Sequence, residues 1–292
     1  MIALVALLNL ALAVLVGATL AGSWLAGQPS DWAIAAARRA HGTARIAAGL
    51  TLLASLLVLW MQVAVMTELP LLSAAPAVLA VLSVSHFGLC WLAGFAALVL
   101  VIVVQTSGRQ TAVVACALAV FAVSRALVSH AVMEGDLSWS VAIESLHLLL
   151  ISAWVGMVLV AGWIVLTRPM GAMAADLDSC RHYARILSRS AMLAVAGIVL
   201  SGVFNAWRAM SEVGQLVTTS WGGVLSVKLI LVGIAIALGA INRWHLVPAL
   251  LDGPDQDKAR LRFVLNLRIE GALLILTVIA AALLSAGSPP GD

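Results

Sequence analysis

The sequence predicts an all-α fold: a polytopic membrane protein of about eight transmembrane helices, arranged as two parallel four-helix repeats. Three observations lead there. They are the apolar composition, a succession of apolar stretches long enough to cross a bilayer, and a residue pattern shared by the two halves of the chain.

Of the 292 residues, 63% are hydrophobic and 10% are charged, and the mean hydropathy is +1.11. A soluble domain carries about 25% charged residues and cannot hide this much apolar surface in one core. A bilayer can, because lipid solvates the outer faces of helices that satisfy their own backbone hydrogen bonds. Cys90, Cys116 and Cys180 form no CxxC pair and suggest no disulfide framework.

Spanning stretches run at 2–26, 44–66, 77–105, 111–131, 142–166, 186–209, 222–247 and 264–286. The first has no Lys or Arg before Arg38 and is long for a signal peptide, so it reads as a retained helix. The linkers are short and polar. Several stretches exceed the roughly 20 residues that a span needs, which predicts tilt or overhang.

The basic residues set the orientation. Arg38, Arg39 and Arg45, then Arg109, then Arg168, Arg181, Arg185 and Arg189, then Arg243, Lys258, Arg260, Arg262 and Arg268 fall on alternate linkers and their flanks. The positive-inside rule makes that face cytoplasmic. The opposite linkers carry Glu68, Glu134, Asp136 and Glu212, so both termini are expected outside, in the periplasm.

The repeat is read from residues that are not apolar filler. Gly17 and Trp24 recur 139 positions later as Gly156 and Trp163, and Arg45 recurs as Arg185. Ser85-His86-Phe87-Gly88 resembles Thr219-Ser220-Trp221-Gly222. The expected repeats are 1–138 and 139–292, in one orientation because each holds an even number of helices.

Ionisable groups inside a bilayer are expensive, so each asks for a partner or a role. His86, His130 and His147 lie toward the outer face, as does Met133. Imidazole with thioether suits Cu(I), and imidazole alone also suits Cu(II), zinc and haem iron. The alternative for each histidine is a helix-end hydrogen bond, and for each methionine, core filling. Glu144, His147 and Trp154 fall on one stripe of their helix. Arg125 is deep enough to need a counter-charge, for which Glu144 is the candidate. Lys228 and Glu270 lie within apolar spans and favour a polar interior. Otherwise Lys228 would snorkel to the outer headgroups, and Glu270 would pair with Arg268 or Arg243. No Walker loop, no GxGxxG after a strand and no Ser-His-Asp set is present. Neither an enzyme nor a nucleic-acid partner is expected.

Ser129-His130-Ala131 and His147-Leu148-Leu149 through Trp154-Val155-Gly156 resemble the motif of the copper-resistance protein D (CopD/PcoD) family. The similarity continues through Ser201-Gly202-Val203-Phe204-Asn205-Ala206 and Thr218-Thr219-Ser220-Trp221-Gly222. Lys228, Gly239-Ala240-Ile241-Asn242-Arg243, Glu270 and Pro289-Pro290 complete it. Trp221-Gly222 departs mildly from the family's usual Tyr-Gly. The resemblance implies an inner-membrane protein of copper homeostasis that passes copper, as Cu(I) or Cu(II), across the membrane with a periplasmic CopC-like copper-binding partner. It also implies His130 and His147 as copper ligands, with His86 or Met133 beside them. Glu144, Arg125, Trp154, Asn205, Lys228 and Glu270 would then support the path. The rival reading is a membrane b-type cytochrome with haem between histidines on neighbouring helices, although His41, His130 and His182 sit at helix ends. A third is a scaffold for a periplasmic partner.

Overall fold

The computed structural model describes residues 1–106, 111–129, 135–167, 174–209, 212, 214–252 and 255–287. These are helices and short connections, with no strand among the described residues. Seven helices are long and apolar enough to cross a membrane. An eighth apolar helix, α5 (Thr111–Leu127), has 17 residues and extends about 25 Å. Each of the eight expected spans therefore has a helix.

The chain opens with α1 (Ile2–Leu25), which carries no charged residue, and α2 (Asp31–Met66). The hydroxyl of Ser30 starts α2 by accepting the Ala33 N–H at 3.1 Å. At 36 residues, α2 extends about 54 Å, well beyond the hydrocarbon core, so its first turns carry Arg38 and Arg39 into the expected cytoplasmic headgroups. The seventh helix, α7 (Ala174–Ala209), is also 36 residues long and overhangs at its own basic end.

One expected span is two helices. The stretch at 77–105 divides into α3 (Ala75–Val84) and α4 (His86–Thr106), with Ser85 extended between them. The Ser85 hydroxyl donates to the Val81 carbonyl at 2.7 Å and accepts the Gly88 N–H at 2.9 Å, ending one helix and capping the next. Gly88 lets α3 fold against α4, since a Cβ there would overlap the Val81 carbonyl oxygen. The same arrangement recurs between α8 (Gln215–Thr218) and α9 (Ser220–Ile241). There Thr219 donates to the Gln215 carbonyl at 2.8 Å and accepts the Gly222 N–H at 3.0 Å, and Gly222 lies against the Gln215 backbone.

Two helices end in wide π-helical turns. α6 (Trp139–Val160) continues through Ala161–Val165, and α9 continues through Asn242–Leu246 into α10 (Val247–Asp252). The chain closes with α11 (Gln256–Leu284), capped by Asp255.

The centre of the bundle is α1, which packs on α2, α6, α7 and α11. It meets α6 through Gly17 and Gly156, whose backbones touch. A Cβ on Gly17 would overlap Gly156, and one on Gly156 would overlap the Ala13 carbonyl oxygen. α9 lies at the periphery and packs mainly on α11. The outer faces are apolar, with Leu200 75% and Leu193 68% exposed, as a lipid solvent allows. The cysteines are free.

Candidate functional site

Glu144, His147, Lys228 and Glu270 fall into two polar groups set along one stripe of α6. The outer group is built by α6, α7 and α9. Glu144 accepts the Asn205 side-chain N–H at 2.7 Å, tying α6 to α7. Lys228 on α9 and Arg208 on α7 act on the Glu144 carboxylate electrostatically.

One turn further in, His147 is held by Ser201. Nδ1 lies 2.8 Å from Ser201 Oγ, and that hydroxyl is itself 2.6 Å from the Gly197 carbonyl. A hydroxyl has one proton to give. With that proton on the carbonyl, Ser201 accepts from His147, so Nδ1 carries the imidazole hydrogen and Nε2 keeps its lone pair. Gly202 makes room for the ring, since a Cβ there would stand 3.3 Å from Cε1.

The inner group lies about 10 Å along α6, seven residues on from His147. Glu270 is 2% exposed. Its Oε1 accepts Trp154 Nε1–H at 3.3 Å, and its Oε2 accepts Asn242 Nδ2–H at 2.9 Å. The expected pairing with Arg268 or Arg243 is not made. Arg268 donates to the Gly162 carbonyl at 3.0 Å, and Arg243 donates to Ser188 at 3.1 Å. Lys228 belongs to the outer group, so it does not pair with Glu270 either.

The ion pair expected between Arg125 and Glu144 is also absent among the described residues. Arg125 instead lies over the Trp91 ring, 5.2 Å from its centroid, because α5 turns that side chain toward α4. Its Nη1 is buried without a hydrogen-bond partner among the described residues.

His86 stands apart from both groups, at the start of α4. Its Nε2 pairs with Asp136 at 2.7 Å, with both side chains about half exposed, and the Cys90 thiol lies 3.7 Å from the same nitrogen. His130 and Met133 lie outside the described residues, as do Arg109, Arg168 and Pro289-Pro290. Among the described residues, no three His, Cys, Asp or Glu side chains are arranged to hold a metal.

Sequence reasoning overlooked three features. Cys90 stands four residues from His86, a spacing that puts both on one helical face and was legible. Ser201 has no signal of its own in the sequence, and its contact with His147 depends on the packing of α6 against α7. The third is a collar of arginines around the end of α6. Arg39 donates to the Ile164 and Val165 carbonyls at 3.0 and 3.2 Å, Arg260 donates to Leu166 at 3.1 Å, and Arg268 reaches Gly162. Cations there offset the negative end of the helix dipole.

A bundle of apolar helices with ionisable residues in its interior defines a polytopic membrane protein with a polar interior. The chain belongs to the copper resistance protein D family. The family model for Copper resistance protein D matches residues 181–284, and that for the Copper resistance protein D-like N-terminal domain matches residues 1–139. Ser201, Asn205, Lys228, Asn242 and Glu270 fall within the first of these segments.

Among curated proteins, inner membrane protein YebZ of Escherichia coli (strain K12) is 31% identical over 150 residues, 50% of this chain and 48% of that protein. Copper resistance protein D of Pseudomonas syringae pv. tomato is 33% identical over 151 residues, 49% of this chain and 47% of that protein. The chain thus spans about half the length of these curated relatives. No solved structure matches. The family match and the apolar helices together make the chain a polytopic membrane protein of this family.

Proposed function

We propose that the protein is a copper permease of the inner membrane, receiving copper at the periplasmic face and passing it between its helices. The observation that carries this reading is His147, whose free Nε2 lone pair is fixed by Ser201 within a polar group that continues down α6 to Trp154 and Glu270. A neutral imidazole with its other nitrogen hydrogen-bonded is the form that ligates metals.

His147, with His130 and Met133, makes up the proposed receiving ligands, and His86 with Cys90, apart from them, offers a nitrogen and a sulfur of the soft character that Cu(I) prefers. Glu144 and Lys228 set the charge around His147, with Asn205 holding the Glu144 carboxylate. A CopC-like periplasmic protein is the proposed donor or acceptor of the ion, and both termini face it. A path between two duplicated halves is part of the same proposal. Gly17 meets Gly156 at the centre, and the helix break at Ser85 is matched by that at Thr219.

Purified protein in liposomes, supplied with ascorbate-reduced Cu(I) and a luminal copper indicator, tests the reading. Wild type is expected to move copper across the bilayer, and His147→Ala to slow it at least about tenfold. Equal rates in protein-free and protein-containing liposomes would reject transport and leave a scaffold.

A further inference from the structure

The carboxyl of Glu270 is 2% exposed, and the groups that reach it are neutral. Trp154 and Asn242 donate to it, and among the described residues no charged side chain bears on it. The helices α1, α6 and α9, which pack on α11, bear this out. α1 carries no ionisable residue at all. On α6, Glu144 and His147 are engaged with Asn205 and Ser201, outward of Trp154. On α9, Lys228 lies fourteen residues before Asn242, about 21 Å along the helix axis, and acts on Glu144. On α11 itself, Arg268 is spent on the Gly162 carbonyl, and in the turn after α9, Arg243 is spent on Ser188. A bare carboxylate without a cation is not tolerated at membrane depth, so this group carries a proton or a cation.

Asn242 adds a second, independent observation. Its Nδ2–H goes to Glu270 Oε2, while its Oδ1 is buried with no hydrogen-bond partner among the described residues. Turning the amide over exchanges the two atoms, and an amide's orientation is fixed only by its partners. In one orientation Asn242 donates to a carboxylate. In the other its Oδ1 accepts the O–H of a carboxylic acid across the same 2.9 Å, while Trp154 donates to Oε1 throughout. The pair therefore fits both protonation states of Glu270 without moving a helix.

We propose that Glu270 is the proton site of this protein, holding one proton when the path is empty and exchanging it for a monovalent cation that enters the path. The exchange rests on the copper reading above, with Cu(I) as the cation. The acid and Cu(I) give the carboxylate paired with Cu(I) and one proton released to water. The electron pair of the O–H bond stays on the carboxylate oxygen, and no oxidation state changes. Release of the ion toward the other side lets the carboxylate take up a proton from that side, so the two move in opposite directions.

Two measurements on the whole protein test this. Infrared difference spectra between wild type and Glu270→Gln, at neutral pH and without metal, are expected to show a protonated carboxylic acid band that the variant lacks. Identical spectra would overturn the proton site. Liposomes with a luminal pH dye are then given ascorbate-reduced Cu(I). Copper uptake with luminal alkalinisation, at about one proton per ion, is expected for wild type. Glu270→Gln should abolish the pH signal, and Glu270→Asp, which keeps the acid, should retain it. Copper uptake with no pH change would overturn the exchange and leave the permease standing. No copper uptake by wild type would remove the permease, and the exchange with it.

Discussion

Ser201 has one hydroxyl proton, and the Gly197 carbonyl takes it. What remains for His147 is an acceptor, which makes Ser201 the residue that chooses the imidazole tautomer. Replacing Ser201 by Ala leaves the ring in place but releases that choice. Copper affinity, measured by competition with a chelator of known strength, is expected to fall about 10- to 100-fold, the usual cost of losing such a supporting hydrogen bond. An unchanged affinity would mean that His147 binds nothing through Nε2. At this scale the sequence was informative along a helix and silent across one. Glu144, His147 and Trp154 share a face by spacing alone, and the structure keeps them on one polar stripe. The pairing of Arg125 with Glu144 required knowing how α5 is rotated, and that rotation places Arg125 over Trp91 instead. Glu270 was picked out by its cost in the membrane, but its partners Trp154 and Asn242 come from two other helices and have no signature in spacing.

The elements follow hydrophobicity, and their irregularities follow side-chain hydrogen bonds that hydrophobicity does not record. Each apolar stretch became a helix, yet the third broke at Ser85 because one hydroxyl could end one helix and start the next. The collar around the end of α6 is of the same kind, since Arg39, Arg260 and Arg268 were legible as cytoplasmic charge but not as caps. Arg39→Ala removes bonds to two carbonyls at 3.0 and 3.2 Å. Hydrogen bonds to charged groups are worth about 1.5–3 kcal/mol, so faster hydrogen exchange is expected in peptides covering residues 161–167. Exchange unchanged there would show that the collar does not hold the turn. The contact of α1 with α6 gives a second expectation. Gly156→Ala drives a methyl into the Ala13 carbonyl, which costs about 1–3 kcal/mol and should lower the thermal midpoint in detergent. Gly49, with open space around it, is the control, and its change to Ala should be neutral or stabilising by up to about 1 kcal/mol. Equal midpoints for the two variants would contradict the close approach of α1 and α6.

For the molecule as a whole, composition alone pointed to the membrane, and the family match relates that architecture to copper resistance protein D. Orientation rests on the basic residues of alternate linkers. It predicts that a reporter active only in the periplasm, fused after Asp292, gives signal, whereas the same reporter placed after Gly27 does not. The reverse pattern would invert the bundle and put Glu144 and His147 at the cytoplasmic side. The parts of the receiving site that lie on different spans were the least legible in the sequence, because packing rather than order along the chain decides which side chains meet, and His86 pairs with Asp136 whereas His147 meets Ser201. Bound metal is therefore the most direct test of the central claim, that copper is received at the outer polar group. Detergent-purified wild type and His147→Ala would be compared by elemental analysis and by absorption spectroscopy of the same samples. About one copper ion per chain in wild type, lost in the variant and with no Soret band in either, is the expected result. A Soret band that disappears with His147, or copper that stays bound without it, would contradict the account.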